Sequence, residues 1–361
     1  MTKFQQDVAL SVAVLLLPGF ANAQTPGEGA NPARAVNDPD QYAWELFTEL
    51  NSDAGAGDGR VVWETWRSAA SQTDIFLPDG AQPPNWPEGQ MAPLRELSDL
   101  EPLPRQLEVA RAEAGELTPA FDPDRPQGNE VRLNRAAFGF ILAAELYNLE
   151  GQFAFFSKQN PSRPSGFPIE AKEIKAQWRR LEPGQNPADF HTATLFGDDG
   201  SNQTWGLTAL HITTKDLPNW FWATFEHNQN PGIEDQVTSV DTAGLPVQLR
   251  GTKWENYVLR GTQIDFVSPV GRPTILANTQ IEAPFQQTSS CITCHARASI
   301  SLVGGKFRSL GVFQSISPLR GDVGLPSPDW FLDNNLPRRG RVFFQTDFVW
   351  SLGRAKSKAS L

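Results

Sequence analysis

From Lys172 onward the apolar residues fall into a spacing of two, and no other feature of this 361-residue chain constrains its fold as tightly. "EIKAQWRRL", "FHTATLF", "TWGLTALHIT", "WFWATFEH" and "WENYVLRGTQIDF" all read this way. In a β-strand residues i and i+2 share a face, so runs of this kind bury their apolar side only by joining a sheet. Turn clusters such as "TTKDLPN", Thr213 to Asn219, join successive runs and make them antiparallel neighbours. The 29 Pro and 29 Gly interrupt the chain too often for many long helices, and 11 Trp with 23 Phe supply bulk for a core. The expected fold is therefore α+β and β-rich: an antiparallel sheet core with few helices and long Pro-rich loops.

Ahead of the strands the chain is more varied. "MTKFQQDVALSVAVLLLPGFANAQ" has the layout of a secretory signal peptide. Lys3 precedes an apolar run from Val8 to Leu17, Pro18 and Gly19 break it, and Ala21-Asn22-Ala23 presents small residues for cleavage near Ala23. That run is far shorter than the ~20 residues a membrane-spanning helix needs, and no later stretch is long enough either. The organisation expected is a signal peptide at 1–23 and a flexible linker at 24–37. A helical, Pro-rich part at 38–160 and a β-rich part at 161–361 follow, the last two together forming one domain or two. Asp38-Pro39 is a helix start, cap then first residue, leading into "QYAWELFTEL" with Trp44, Phe47 and Leu50 as core. "RVVWETWRSA" reads as a strand or a strand–helix junction in which Trp63 and Trp66 pack, residues 76–130 as an irregular surface excursion, and Val131 to Leu149 as a helix.

A formal net charge of −10 speaks against a nucleic-acid partner. Both cysteines and one of only four histidines lie in "SSCITCHARAS". Cys291-Ile292-Thr293-Cys294-His295 matches C-x-x-C-H, the attachment pattern for haem c, near the C-terminus. Two sulfurs at this spacing can form thioethers to the two vinyl groups of one porphyrin, and the next residue can turn its imidazole onto the iron. A disulfide or a thioredoxin-type pair leaves His295 unexplained, and a zinc site lacks a second cysteine pair.

Through these five residues the chain resembles the c-type cytochromes. Through "AWELFTELN", "VVWETWRSA", "ALHITTKDLPNWFWATFEH" and "SSCITCHARA" it is similar to a group of large, uncharacterised bacterial periplasmic mono-haem cytochromes. The resemblance implies one covalently bound haem c and a periplasmic or secreted location. It also implies electron transfer to a redox partner protein, or haem-based redox chemistry on a small-molecule substrate. Cys291 and Cys294 are then the attachment residues and His295 an axial ligand. Neither Met nor His follows His295, so the other face of the iron falls to His227, His211 or His191, or stays open. Pairing Ile212 with Trp220 across the turn places His211 and His227 on one face, with His227 foremost as ligand or acid–base group. Arg260, Arg272 and Arg308 are candidate propionate contacts, and Glu226 a candidate acid–base group. Lys172 and Lys175 are the nearest strand lysines for a cross-link of the kind seen in β-sheet hydroxylamine oxidisers. Three classes stay open: an electron carrier with both axial positions filled; an oxidoreductase with an open distal pocket, peroxidase-like or oxygen-activating; and a haem-bearing sensor or binding module.

Overall fold

The computed structural model describes residues 27–69, 74–87, 100, 127–159, 166–196, 201–230, 233, 240–280, 282–311, 321–332 and 340–359. The signal peptide, Met91 and most of the 76–130 excursion lie outside them.

A seven-stranded antiparallel sheet dominates the chain, in the order β1-β2-β3-β5-β6-β7 with β4 beside β5. The strands are β1 (Arg67–Ser68), β2 (Gln127–Leu133), β3 (Lys172–Arg180), β4 (Thr192–Phe196), β5 (Asn202–Thr214), β6 (Phe221–His227) and β7 (Tyr257–Gln263). A three-stranded sheet, β10-β8-β9, is built from β8 (Ser299–Val303), β9 (Lys306–Arg308) and β10 (Phe344–Gln345). With few helices beside these sheets the fold is α+β and β-rich, and every period-two run contains a strand. Because β2 pairs with β3, one sheet spans both sides of residue 160. Among the described residues no helix is long and apolar enough to cross a membrane.

Alternation gives the large sheet two unlike faces. Ile174, Ile212 and Ala223 form one cross-strand row, and Ala176, Leu210, Phe225 and Leu259 the next. Against these rows packs α2 (Pro39–Leu50), through Tyr42, Trp44, Phe47 and Leu50. Trp63 and Trp66 are buried in the same cluster, as expected of packing residues, although their segment forms a 3-10 turn (Val62–Thr65) followed by the short β1. The opposite face carries Lys175, His211, Thr224 and Gly261 in one row, with Glu173, Thr213, Trp222 and Gln263 in the next. The segment holding Cys291 and the chain's C-terminal part cover that side.

Three local expectations are corrected. Within the expected linker, residues 32–37 form α1 (Pro32–Asn37) and the residues before it are docked. Gly27 takes φ 81°, with Trp66 so close that an added Cβ would lie 2.9 Å from its ring. Glu28 accepts from Asn134 Nδ2 (2.9 Å) and Arg135 N (3.2 Å), and the backbone carbonyl of Gly29 accepts from Lys172 Nζ. Asp38 does precede the helix, but its carboxylate pairs with Arg34 at 2.7 Å and makes no cap hydrogen bond. Finally, the helix expected from Val131 to Leu149 is a strand end and two helices. Val131 belongs to β2, Asn134 caps α3 (Arg135–Ala143), and Asn148 caps α4 (Leu149–Phe156). The asparagine carbonyls accept from Ala137 N and Gly151 N, each saturating an N–H that a new helix leaves unpaired.

Candidate functional site

The five residues Cys291–His295 form a single helical turn, α5, whose N-cap Ser290 accepts from Thr293 N. A helix this short has no stability of its own, so its docking contacts hold it in place. Gln263, on β7, supplies the main ones: its Oε1 accepts from Ile292 N at 3.0 Å and its Nε2 donates to Ser290 Oγ at 2.8 Å. Thr293 Oγ1 donates to the Gly324 carbonyl at 2.7 Å, and Ile292 is fully buried.

His295 is fixed from two sides. Its ring packs on Trp222 with centroids 4.5 Å apart, and Nδ1 lies 2.8 Å from the carbonyl oxygen of Phe348. A carbonyl only accepts, so Nδ1 carries the proton and Nε2 is left with its lone pair. That nitrogen has no hydrogen-bond partner among the described residues. This is how a ligating histidine is usually held, one nitrogen donating to a carbonyl and the other free for a metal.

Across from α5, on the same face of the sheet, stand Lys175 and His211, cross-strand partners in β3 and β5. His211 Nε2 is shut off from solvent without a hydrogen-bond partner. Lys175 makes no hydrogen bond or ion pair among the described residues. Lys175, His211, Cys291, Cys294 and His295 are all half-buried and lie close enough to influence one another's charge, so they border one recess between sheet and α5. Burial dominates their electrostatics. It lowers His211 to about 3, assisted by the nearby charges of Lys175 and His295, and lowers His295 to about 4 against the opposing Phe348 hydrogen bond. Lys175 is also lowered, burial outweighing the attraction of Glu282. Cys294 is pushed up to about 12 and Cys291 well above the ordinary thiol range, in both cases by burial first and the charge of Glu282 second. Both thiols are free.

His227 is not in the recess, contrary to expectation. The β5–β6 register pairs His211 with Thr224 and Thr214 with Phe221, three residues away from the pairing expected from the turn. An odd shift exchanges the faces of a strand. His227 therefore points to the α2 side, paired with Tyr257, and stacks on Phe190 at 3.8 Å. Both its nitrogens are engaged, Nε2 with the Asp189 carbonyl (3.0 Å) and Nδ1 accepting from Gln229 N (3.2 Å). His191 is in the same core, its Nε2 3.1 Å from Glu64 and its Nδ1 2.8 Å from Lys253 Nζ. Glu226 is on the recess side but committed to Thr279 N (2.8 Å), Thr279 Oγ1 and Arg260.

The arginines are dispersed. Arg260 is buried and lies 3.4 Å from Glu226, whereas Arg272 and Arg308 are exposed in a turn and on β9. The arginine nearest the motif is one the sequence reading passed over: Arg297, buried, donating to the Gly311 carbonyl at 3.0 Å and electrostatically coupled to Cys294. Its position three residues after Cys294, one helical turn on, was the available signal. Of the two lysines, Lys175 is in the recess, whereas Lys172 faces the other way onto Gly29.

Among the described residues no three His, Cys, Asp or Glu side chains converge as a metal-ligand set. What does converge is two thiols on one helical turn, a histidine with a free Nε2, and a second imidazole with an orphaned nitrogen. These residues fit a haem held through Cys291 and Cys294, with imidazoles available for the iron. The chain matches no protein-family model, no curated protein and no solved structure.

Proposed function

We propose that this is an exported protein that holds one haem c covalently through Cys291 and Cys294 and carries out one-electron chemistry in the periplasm. His295 and His211 are the imidazoles at the iron. The observation that carries the reading is the recess: α5 and the sheet bring both thiols, the free Nε2 of His295 and the unpartnered Nε2 of His211 to one buried place. Bound there, haem supplies an iron that gains or loses one electron. The chain does the rest. Trp222 and the Phe348 carbonyl fix the ring plane and tautomer of His295. Burial keeps both imidazoles neutral at ordinary pH, as a ligand must be. Ile292, Ala296 and Trp222 give the surroundings of α5 a low polarity, which tunes a haem's potential.

Lys175 beside His211 favours a second reading, an oxidoreductase in which the two form a distal acid–base pair over an open iron position acting on a small molecule. The absorption spectrum of the ferrous protein with and without carbon monoxide separates the two. A carrier with His211 on the iron is low-spin and inert to carbon monoxide, and His211→Ala makes it reactive. An oxidoreductase binds carbon monoxide as wild type, and the same substitution slows its reaction with peroxide instead. Haem that is lost on acid–acetone extraction, from protein produced alongside cytochrome c maturation, sinks both.

A further inference from the structure

Phe348, whose carbonyl meets His295, also lines a groove of about 760 Å³ that the proposed redox chemistry does not use. Phe156, Phe167, Phe266, Phe344 and Phe348 line it. The volume is in the range of small-molecule sites, which combine apolar walls with a few placed polar groups. Three charged side chains border it, and they do not balance. Lys215 and Asp347 pair at 2.6 Å. Arg341 lies over the ring of Phe331 and donates to the Phe343 carbonyl and to Gln345, with no acidic partner among the described residues. An exposed guanidinium with free donors at the rim of a groove walled by five aromatic rings matches a planar apolar body that ends in a carboxylate.

The groove also touches the redox site. Asp347 and Phe348 are consecutive non-glycine residues in the left-handed region, at φ 49° and 69°. Such conformations cost energy and persist only where the surroundings impose them. Here Lys215 Nζ and Phe167 N (2.8 Å) both hold the Asp347 carboxylate. The strained turn presents the Phe348 ring to the groove and the Phe348 carbonyl to His295 Nδ1.

We infer that this groove binds a small aromatic carboxylate, with Arg341 as its anion partner, and that the Asp347–Phe348 turn couples its occupancy to His295. The binding and its coupling to His295 stand apart from the haem reading; only the shift in haem potential rests on it. The test is calorimetric titration of the intact haem-bearing protein with 2-naphthoate and with its neutral counterpart 2-naphthalenemethanol. One saturable site is expected for naphthoate, at least tenfold weaker in Arg341→Gln, with the alcohol indifferent to that substitution. No saturable heat at millimolar ligand overturns the site, and naphthoate affinity unchanged in Arg341→Gln overturns the carboxylate. At saturation the haem's midpoint potential should shift, and a potential that stays put with the groove filled overturns the coupling. Should the purified chain carry no haem, the Proposed function fails by that fact alone. Naphthoate binding is then still read by heat, and the coupling by displacement of the His295 ring resonances, whose constancy at saturation overturns it.

Discussion

His211 and His227 are the same side chain sixteen positions apart in the chain, on opposite faces of one sheet, and they ask for different experiments. His227 stacks on Phe190 and donates from Nε2 to the Asp189 carbonyl, so a glutamine there keeps a donor and removes the titration. Burial holds the His227 pKa below the 6.5 of a free imidazole. Below that pH the unfolded chain takes up more protons than the folded one, so His227 costs stability as pH falls and nothing above it. His227→Gln should therefore flatten the loss of urea stability between pH 7 and pH 5 and leave the haem spectrum unchanged. A spectral change would return His227 to the iron. Reading these two residues from sequence required the hairpin register, and "TTKDLPN" admits more than one. In the structure Thr213 and Thr214 continue β5, while Trp220 leaves the strand for φ 63° and bonds back to Leu217. A turn that absorbs one tryptophan and releases two threonines slips the pairing by three. "CITCH", by contrast, is read without any register, because the residues of its pattern are consecutive.

Elements were legible where one period ran unbroken and obscure where a cap interrupted it. Each alternating run from Lys172 to Gln263 contains a strand, yet the apolar stretch after Val131 hides Asn134 and Asn148, whose side chains start new helices inside what reads as one. The short α5 is the opposite case, an element defined by what it docks on. Gln263 gives α5 buried hydrogen bonds through both amide atoms and also donates to Thr274 Oγ1 at 2.7 Å in partly buried surroundings. Removing such an amide strands buried partners, at about 1–3 kcal/mol for each group left unpaired. Gln263→Ala should lower the melting temperature and the fraction of chains that carry haem. Gln263→Glu should restore the acceptor for Ile292 N but not the donor. Haem content by pyridine haemochrome, beside thermal unfolding, checks both. Full haem loading in Gln263→Ala would mean that α5 finds its place without β7.

Taken whole, the molecule is a sheet with an apolar core on each face and the proposed haem chemistry on the one away from α2. Trp44 is nearly fully buried on the α2 side, in edge contact with Phe47 and Phe225. Trp44→Ala should cost about 3–5 kcal/mol, as large-to-small core substitutions do, and leave the haem spectrum of the protein that still folds unaltered. Denaturant unfolding followed by far-ultraviolet circular dichroism and by haem absorbance measures each part. A shifted spectrum would show that the two faces are not independent. The thiols carry a consequence for time rather than space. A thiol reacts through its thiolate, and burial holds Cys294 near 12 and Cys291 well above the ordinary thiol range. The carbonyl that fixes His295 comes from residue 348, so the recess closes only after most of the chain has been made and has collapsed. Haem-free chain should accordingly resist alkylation by iodoacetamide when folded and react readily in urea. Equal rates would show that the closed fold does not protect the thiols. On the proposed reading, attachment then belongs to the interval between export and folding: a chain that folded before it met haem would have locked itself out.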